Sequence, residues 1–596
     1  MPPASALNPL SAAAVHPKQD AVFGMFPSRR SVVHSTGGMV SCTQPLASEA
    51  GQRILKQGGN AADAAVAVAA ALNVTEPAMT GIGGDCFCLF FDAKTKEIHA
   101  LNGSGRAPKN TTVQQVRKEL GLADGKNGKI PQYSQLSVTV PGAAAGWVDT
   151  VERFGSGKLT MEQILTPAIE LAENGFPVSE FSAAFWKNSE PYIRDASPNF
   201  REILKRDRSS ENFVRAPRSG EIMKTPTLAA TFRTLAAEGK KGFYDGRIAK
   251  AIVDVLKQRG AHMELEDLQH HLEKGSEAPK PISFRFTGQN TANPGHPASS
   301  DMEDRYIELW EHPPNGQGIV ALMALGIFQE LEKTQQILPF AQEDHNSISY
   351  LHALIESLRI AFADASWWVT DPDHSPIKPA QLTDPAYLAE RAKLFNKDKA
   401  GRHSYGKPGK SPAHNHSDTV YFAVTDKDGN GMSFINSVYS QFGSCIVPEG
   451  CGFALQNRGS TFDLGPEDHP NIYAGGKRPY HTIIPGMVTH GRTSVPDDRH
   501  LHSVFGALDA PRVCIGAGMP DQGETGGATV YIEEGVPEEV VAGLKGMGHE
   551  VEVLYGMERA MFGRGQIIRR HVDADGDVVV WSAGSDMRGD GCAMPA

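Results

Sequence analysis

From Asn60 to Val74 the chain reads NAADAAVAVAAALNV, a helix-forming run in which nearly every position is small and apolar. A helix with no polar face is covered on all sides, and its small side chains let it lie close against a sheet. Asn60 is placed to cap it, and residues 46–59 (LASEAGQRILKQGG) fit a preceding helix closed by glycine, with Leu46, Ala50 and Ile54 on one face. The run fixes core architecture and carries no chemistry of its own.

A second stretch is where chemistry enters. In Ser417–Thr425 (SDTVYFAVT), Val420, Phe422 and Val424 alternate with Tyr421, Ala423 and Thr425, the period of a half-buried strand. Asp426 to Asn430 supplies turn residues, and residues 431–439 (GMSFINSVY) resume the extended pattern, so the unit is a hairpin. Thr419 in an intact chain is an ordinary strand residue. If the bond before it is cut, its new α-amino group can serve as base for its own hydroxyl. Residues 396–417, rich in Lys, Gly, Pro, Ser and His, form an exposed linker ending just before Asp418 and suit a backbone cut.

With 596 residues, 40% of them hydrophobic and 21% charged, the chain has the composition of a globular protein. A formal charge of −11 argues against nucleic acid or an anionic membrane as main partner. The N-terminal residues lack a signal-like apolar core and no run of eighteen apolar residues occurs, so a cytoplasmic protein without a membrane anchor is expected. The seven cysteines match no zinc spacing and are expected to be free, buried thiols. His352 and Glu356 share a helical face, but no third ligand is near in the pattern, so no metal is expected there.

In chain order, residues 1–30 are a loose arm and residues 32–42 a strand. The loop Thr80–Asp85 (TGIGGD) lacks the Lys-Ser/Thr of a P-loop and precedes a strand, so it is a sharp turn and not a phosphate cradle. Residues 112–285 are mostly helical, with residues 138–142 a strand delivered to a helix start. Residues 286–304 are a polar surface insertion, and helices follow at 319–331 and 347–368. The second half is β-rich, with strand, helix, strand over residues 529–554 and the segments 565–568 and 578–581 at the end.

Several segments taken together, in order, resemble the γ-glutamyltransferase (γ-glutamyltranspeptidase) family: GGNAADAAVAVAAALNVTEPAMTGIGGDCF, VTVPGAAAGW, EHPPNGQG, DTVYFAVTDKDGN, FGSCIVPEG, LQNRGSTF and KRPYHTIIPGM. The match covers the chain from about Val32 onward and is closest to γ-glutamyltransferase-like proteins with Asn-Arg-Gly in the loop after the hairpin. The resemblance implies an α+β fold, the αββα sandwich of N-terminal-nucleophile hydrolases. It also implies self-cleavage between Asp418 and Thr419 into a large part, residues 31–418, and a small part, residues 419–596, that fold together as one sandwich. Thr419 would then attack a γ-glutamyl amide of glutathione or a glutathione conjugate. The acyl group would pass to water, an amino acid or a peptide, with no cofactor.

Other positions follow residue by residue from the resemblance. Ser437 stands where a threonine hydroxyl usually supports the nucleophile. Tyr439 stands where an asparagine commonly binds the α-amino-acid end, and Arg458 and Thr461 stand at loop positions that commonly read Gln and Asp. His481-Thr482 replaces a Ser-Ser pair on the α-carboxylate. Ser104 takes the place of an arginine, with Arg106 two residues on as a substitute. Arg106 and Arg458 could clamp a carboxylate bidentately, or serve as structural ion-pair arginines. Asn457 is either a substrate contact or a turn-holder, and His481 either a carboxylate ligand or a satisfied loop histidine. The acid missing at Thr461 opens a cephalosporin-acylase-like specificity for another side-chain amide. The family's oxyanion Gly-Gly is missing between residues 488 and 508, and Gly526-Gly527 lies on the wrong side of LDAPR to replace it. That leaves a catalytically silent, uncleaved chain as the reading from another class.

Overall fold

The computed structural model describes residues 32–122, 128–287, 306–401, 420–490, 508–516, 529–572 and 578–596. The N-terminal arm, most of the 286–304 insertion, the end of the linker, the Asp418–Thr419 bond, residues 491–507 and Gly526-Gly527 lie outside them.

The central sheet holds six strands: β1 (Gly38–Cys42), β2 (Asp85–Asp92), β3 (Glu97–Gly103), β4 (Val420–Asp426), β5 (Gly431–Ser437) and β6 (Cys592–Pro595), in the order β6-β1-β4-β5-β2-β3. All neighbours are antiparallel. Val420, Phe422 and Val424, with Phe434 and Met432 of β5, face one core, as their alternation predicts. That core belongs to α1 (Pro45–Lys56), α2 (Ala61–Thr75) and α3 (Ala143–Phe154), which pack against this face of the sheet. Every residue of α2 is buried, and Asn60 caps it through a reciprocal pair with Asp63. The hairpin turn is tied to the same helix: Asp426 accepts the N–H groups of Ala61, Asp428 and Asn430.

The opposite face of the sheet meets two three-stranded sheets. Strand Val579–Ser585 lies between Val33–Ser35 and Gln566–Val572, and its Trp581 and Ala583 pack on Met39. Strand Ile307–Glu311 lies between Ile282–Phe286 and Gly486–His490. Helices Ile319–Lys333 and Ile348–Trp368 cover Ile282 and Phe284 from outside. The layer order is thus helix, sheet, sheet, helix, the expected sandwich. The unit of strand, helix, strand at Val530–Glu533, Glu538–Gly546 and Val551–Leu554 packs on Leu351 and Ile355 of the outer helix. No helix among the described residues is long and apolar enough to cross a membrane.

Three sequence expectations change. Residues 32–42 form two strands, Val33–Ser35 and Gly38–Cys42, parted at Thr36 and Gly37, and Gly38 opens the second with a φ of 126° that suits glycine. Residues 138–142 form no strand: the Val140 N–H goes to the Arg106 carbonyl, the Val140 carbonyl accepts from the Gln456 side chain, and Gly142 already has helical angles as the N-cap of α3. The second hairpin strand stops at Ser437, because Tyr439 turns to φ +81°. The seven cysteines are free, five of them buried.

The glycine turn acts as a spacer beneath the sheet end. A Cβ on Gly83 would lie 2.2 Å from the Ala454 carbonyl and one on Gly84 2.2 Å from the Ser437 carbonyl. Gly105 is tighter still, with its Cβ placed 1.6 Å from the Val140 carbonyl oxygen. Gly105→Ala is expected to lower the stability of the protein by roughly 1–3 kcal/mol or more, the range for forced overpacking. A urea midpoint equal to that of the wild type would contradict this backbone contact.

Candidate active site

Ser437 ends β5 opposite Asp85, which opens β2. Because the chain turns sharply at Tyr439, the Tyr439 N–H comes back to donate to Ser437 Oγ at 2.9 Å. The loop beyond returns to the same strand ends, with the Gln456 N–H on the Gly83 carbonyl, and closes in the single turn Arg458–Thr461. Arg458 is fully buried there. Its Nη1 donates to Thr482 Oγ1 at 2.7 Å and its Nη2 to Ser437 Oγ at 3.3 Å, and its Cζ lies 4.2 Å over the Tyr439 ring. Nε has no partner, and among the described residues Arg458 forms no ion pair. Burial pulls its pKa down to about 10, opposed by Tyr439 and Asp85, so it stays a cation at neutral pH. A cation held this dry, in a fixed fork, is a ready receptor for an anion.

Asp85 is the hub beneath it. Its Oδ1 accepts the N–H groups of Gly105 and Gly142, each at 3.0 Å, and Gln456 Nε2 at 2.9 Å. Its Oδ2 lies 3.1 Å from His481 Nε2. Burial pushes the Asp85 carboxyl up to about 6, while Arg458 and the three N–H donors hold it from rising further. Burial, with Arg458 nearby, keeps His481 well below the ordinary imidazole range and therefore neutral. The neutral ring donates from Nε2 to Asp85 and leaves Nδ1 as a buried acceptor without a partner. Phe87 lies between two imidazoles, with ring centroids 4.1 Å from His312 and 4.6 Å from His481.

A pH dependence follows from this geometry. As the pH falls through about 6, Asp85 takes up a proton on the oxygen facing His481, because the other oxygen is occupied by three donors. Nε2 must then accept, and His481 switches to the Nδ1–H tautomer. The rate profile is expected to fall on the acid side with an apparent pKa near 6. Asp85→Asn fixes the switched tautomer, so it should lower activity and flatten that limb. An unchanged limb in the variant would assign it to another group.

The other expected residues divide. Thr461 Oγ1 donates to backbone carbonyls, of Arg458 at 2.9 Å or Tyr480 at 2.8 Å, and stands one turn from the Ser437–Arg458 pair. Asn457 Nδ2 holds the Gln132 carbonyl at 2.9 Å and Ser440 Oγ at 3.0 Å, and its Oδ1 accepts the Ser440 N–H, the pattern of a turn-holder. Thr482 joins the group through Arg458. Arg106 points elsewhere, with Nη2 on Glu277 at 2.8 Å, a carboxylate it shares with Arg478. Ser104 is held by Asn102 and Asn315. Asp418 and Thr419 lie outside the described residues, although Val420, next in the chain, is paired with Asn436. Asp85 and Gln456 are the members that the sequence reading did not pick out. A carboxylate opening an otherwise apolar strand run was the available signal. Two further cavities, of about 230 and 520 Å³, lie at the turn end of the hairpin around Asp428 and Asn430, far from Ser437.

The sequence reading found no third partner for His352 and Glu356, and the fold supplies one, His549, from 197 residues away. The group is already satisfied as a hydrogen-bond chain. Arg359 Nη1 donates to His549 Nδ1, His549 Nε2 to His352 Nδ1, and His352 Nε2 to the Asn396 carbonyl. Glu356 accepts from Arg359 and from the Gly401 N–H. A guanidinium at the centre is a poor neighbour for a metal ion.

With this geometry in place, comparison with known proteins decides the family. The family model described as Gamma-glutamyltranspeptidase matches residues 47–496. The chain belongs to that family. Over 588 residues it is 33% identical to the Glutathione hydrolase-like YwrD proenzyme of Bacillus subtilis (strain 168), covering 95% of this chain and 99% of that one. It is 30% identical over 571 residues to the Oxamate amidohydrolase proenzyme of Klebsiella pneumoniae subsp. pneumoniae, covering 90% and 95%. Among solved structures, the cephalosporin acylase from Bacillus halodurans matches at a TM-score of 0.79 and 32% identity, over 98% of this chain and 99% of that one. This member of the gamma-glutamyltranspeptidase family therefore has the N-terminal-nucleophile hydrolase fold, α+β, that the sequence resemblance implied.

Proposed function

We propose that this protein is an N-terminal-threonine amidohydrolase or acyltransferase that matures by cutting its own chain between Asp418 and Thr419. The Thr419 hydroxyl adds to the Asp418 carbonyl, the C–N bond breaks as the amide becomes an ester, and water releases the Asp418 carboxylate and a free Thr419 α-amine. The same hydroxyl, with that amine as base, then attacks the γ-glutamyl amide of glutathione or a conjugate. The amine product leaves with a proton, and water or an acceptor amine takes the acyl group from the ester. Ser437 supports the nucleophile, while Arg458, Thr482 and Tyr439 receive the acyl group's carboxylate, with His481 held on Asp85 behind them. The observation that carries this reading is Arg458: fully buried, without an ion pair among the described residues, and bonded to Ser437 at the mouth of the strand that follows Thr419.

A second reading has an observation of its own. A γ-glutamyl group brings an ammonium, which needs an open carboxylate, yet Asp85 has both oxygens engaged and Thr461 spends its hydroxyl on backbone carbonyls. That favours a dicarboxylic acyl group without an ammonium, the work of an acylase. Purified, matured protein assayed on γ-glutamyl-p-nitroanilide and on glutaryl-p-nitroanilide separates the two. Faster turnover of the γ-glutamyl substrate is expected, glutaryl turnover alone establishes the acylase reading, and turnover of neither contradicts both.

A further inference from the structure

On the far side of the Val140 segment from Gln456 lies a cavity of about 230 Å³, lined by Arg106, Lys109, Asp267, His271, Gly475 and Gly476 among others. Its groups come from three parts of the chain. Residues 105–109 follow β3, His271 sits on helix Leu265–Lys274, and Gly475-Gly476 form a loop laid against the first segment. The loop can come this close because it carries no side chain: a Cβ on Gly475 would lie 2.2 Å from the Lys109 carbonyl.

The polar groups here are incompletely used. Arg106 is 8% exposed; its Nη2 is paired with Glu277, but its Nη1 is buried without a partner. His271 is 2% exposed and neither ring nitrogen has a partner. Asp267, the acidic member, is already engaged, with one oxygen on the Lys109 N–H and the other on the Glu264 N–H. Buried donors left unpaired are costly, and both of these belong to residues that line the cavity.

We propose that this cavity is a carboxylate-binding site, separate from the Ser437–Arg458 constellation, in which Arg106 Nη1 and the His271 N–H each bind one carboxylate oxygen and the Lys109 ammonium lies alongside. The number of donors selects the ligand. Arg106 Nη1 and the His271 N–H can each take one of the two oxygens of a carboxylate, whereas a phosphate would bring further oxygens and a second charge beside Asp267. The volume falls below the roughly 300–1,000 Å³ of pockets for drug-sized ligands, so the occupant is a small acid and not a nucleotide or a peptide. The site also has a route to the other one. Val140 lines the cavity, and its carbonyl accepts Gln456 Nε2, which donates to Asp85 Oδ1 as well. The proposal stands independently of the reaction proposed above.

The test is calorimetric titration of the full chain with sodium glutarate and, separately, with inorganic phosphate. Wild type is compared with Arg106→Gln, Lys109→Ala and Arg458→Lys. Lys109 is exposed, so its replacement cannot be mistaken for a folding defect. Arg458→Lys separates binding at the Ser437 site. Saturable glutarate binding that survives Arg458→Lys and weakens at least about tenfold in Arg106→Gln and Lys109→Ala is expected, the scale of one lost charge-assisted contact. Absence of saturable binding, binding of phosphate alone, binding lost only with Arg458→Lys, or wild-type affinity in Arg106→Gln or Lys109→Ala would overturn the proposal.

Discussion

Replacing Thr419 with alanine is expected to leave one uncut 596-residue chain and to remove amide turnover altogether. In the proposed mechanism both steps draw on the same hydroxyl, so its removal should stop maturation and catalysis together. Thr419→Ser keeps the hydroxyl and should mature and turn over, at a reduced rate. The pair of variants matters because a folding defect would affect both, whereas loss of the nucleophile affects alanine alone. A cut, active Thr419→Ala protein would show that another residue carries the reaction.

Arg458→Met is the second large expected effect. Methionine keeps most of the length of the side chain, and exchanging a buried cation for an apolar group is often neutral for folding. The substrate carboxylate loses its fixed cation, for which about 2–5 kcal/mol is the usual scale when one partner of a buried charge pair is removed. The proposed reaction should therefore slow on the order of 10²-fold or more in kcat/KM, chiefly through KM. Arg458→Lys should recover only part of this, because a lysine cannot donate to both Thr482 and Ser437 from a planar fork. Kinetics of both variants on the preferred anilide check the point. An unchanged KM in Arg458→Met would remove Arg458 from the acyl-group site.

What could be read in the sequence was what local chemistry decides. The α2 helix, its Asn60 cap and the β4–β5 hairpin each follow from residues within one turn or one strand of one another. The strand expected at residues 138–142 failed because its polar backbone is used by Arg106 and by the Gln456 side chain, from elsewhere in the chain. The role of Asp85 was hidden for the same reason, since Gln456 and His481 reach it across 371 and 396 residues. Arg106 and Arg458 had equal claims to a carboxylate while only spacing was in view. The fold parts them, giving Arg458 to Ser437 and Arg106 to Glu277. His549 came to His352 by packing of the late strand–helix–strand unit on the outer helix, which no local pattern announces.

The central claim is that this member of the gamma-glutamyltranspeptidase family makes its own nucleophile. The most direct measurement is mass spectrometry of the purified wild-type protein under denaturing conditions, with sequencing of each fragment's N-terminus. Two fragments are predicted, one ending at Asp418 and one beginning at Thr419. A single intact chain, or a cut at any other bond, would contradict the account.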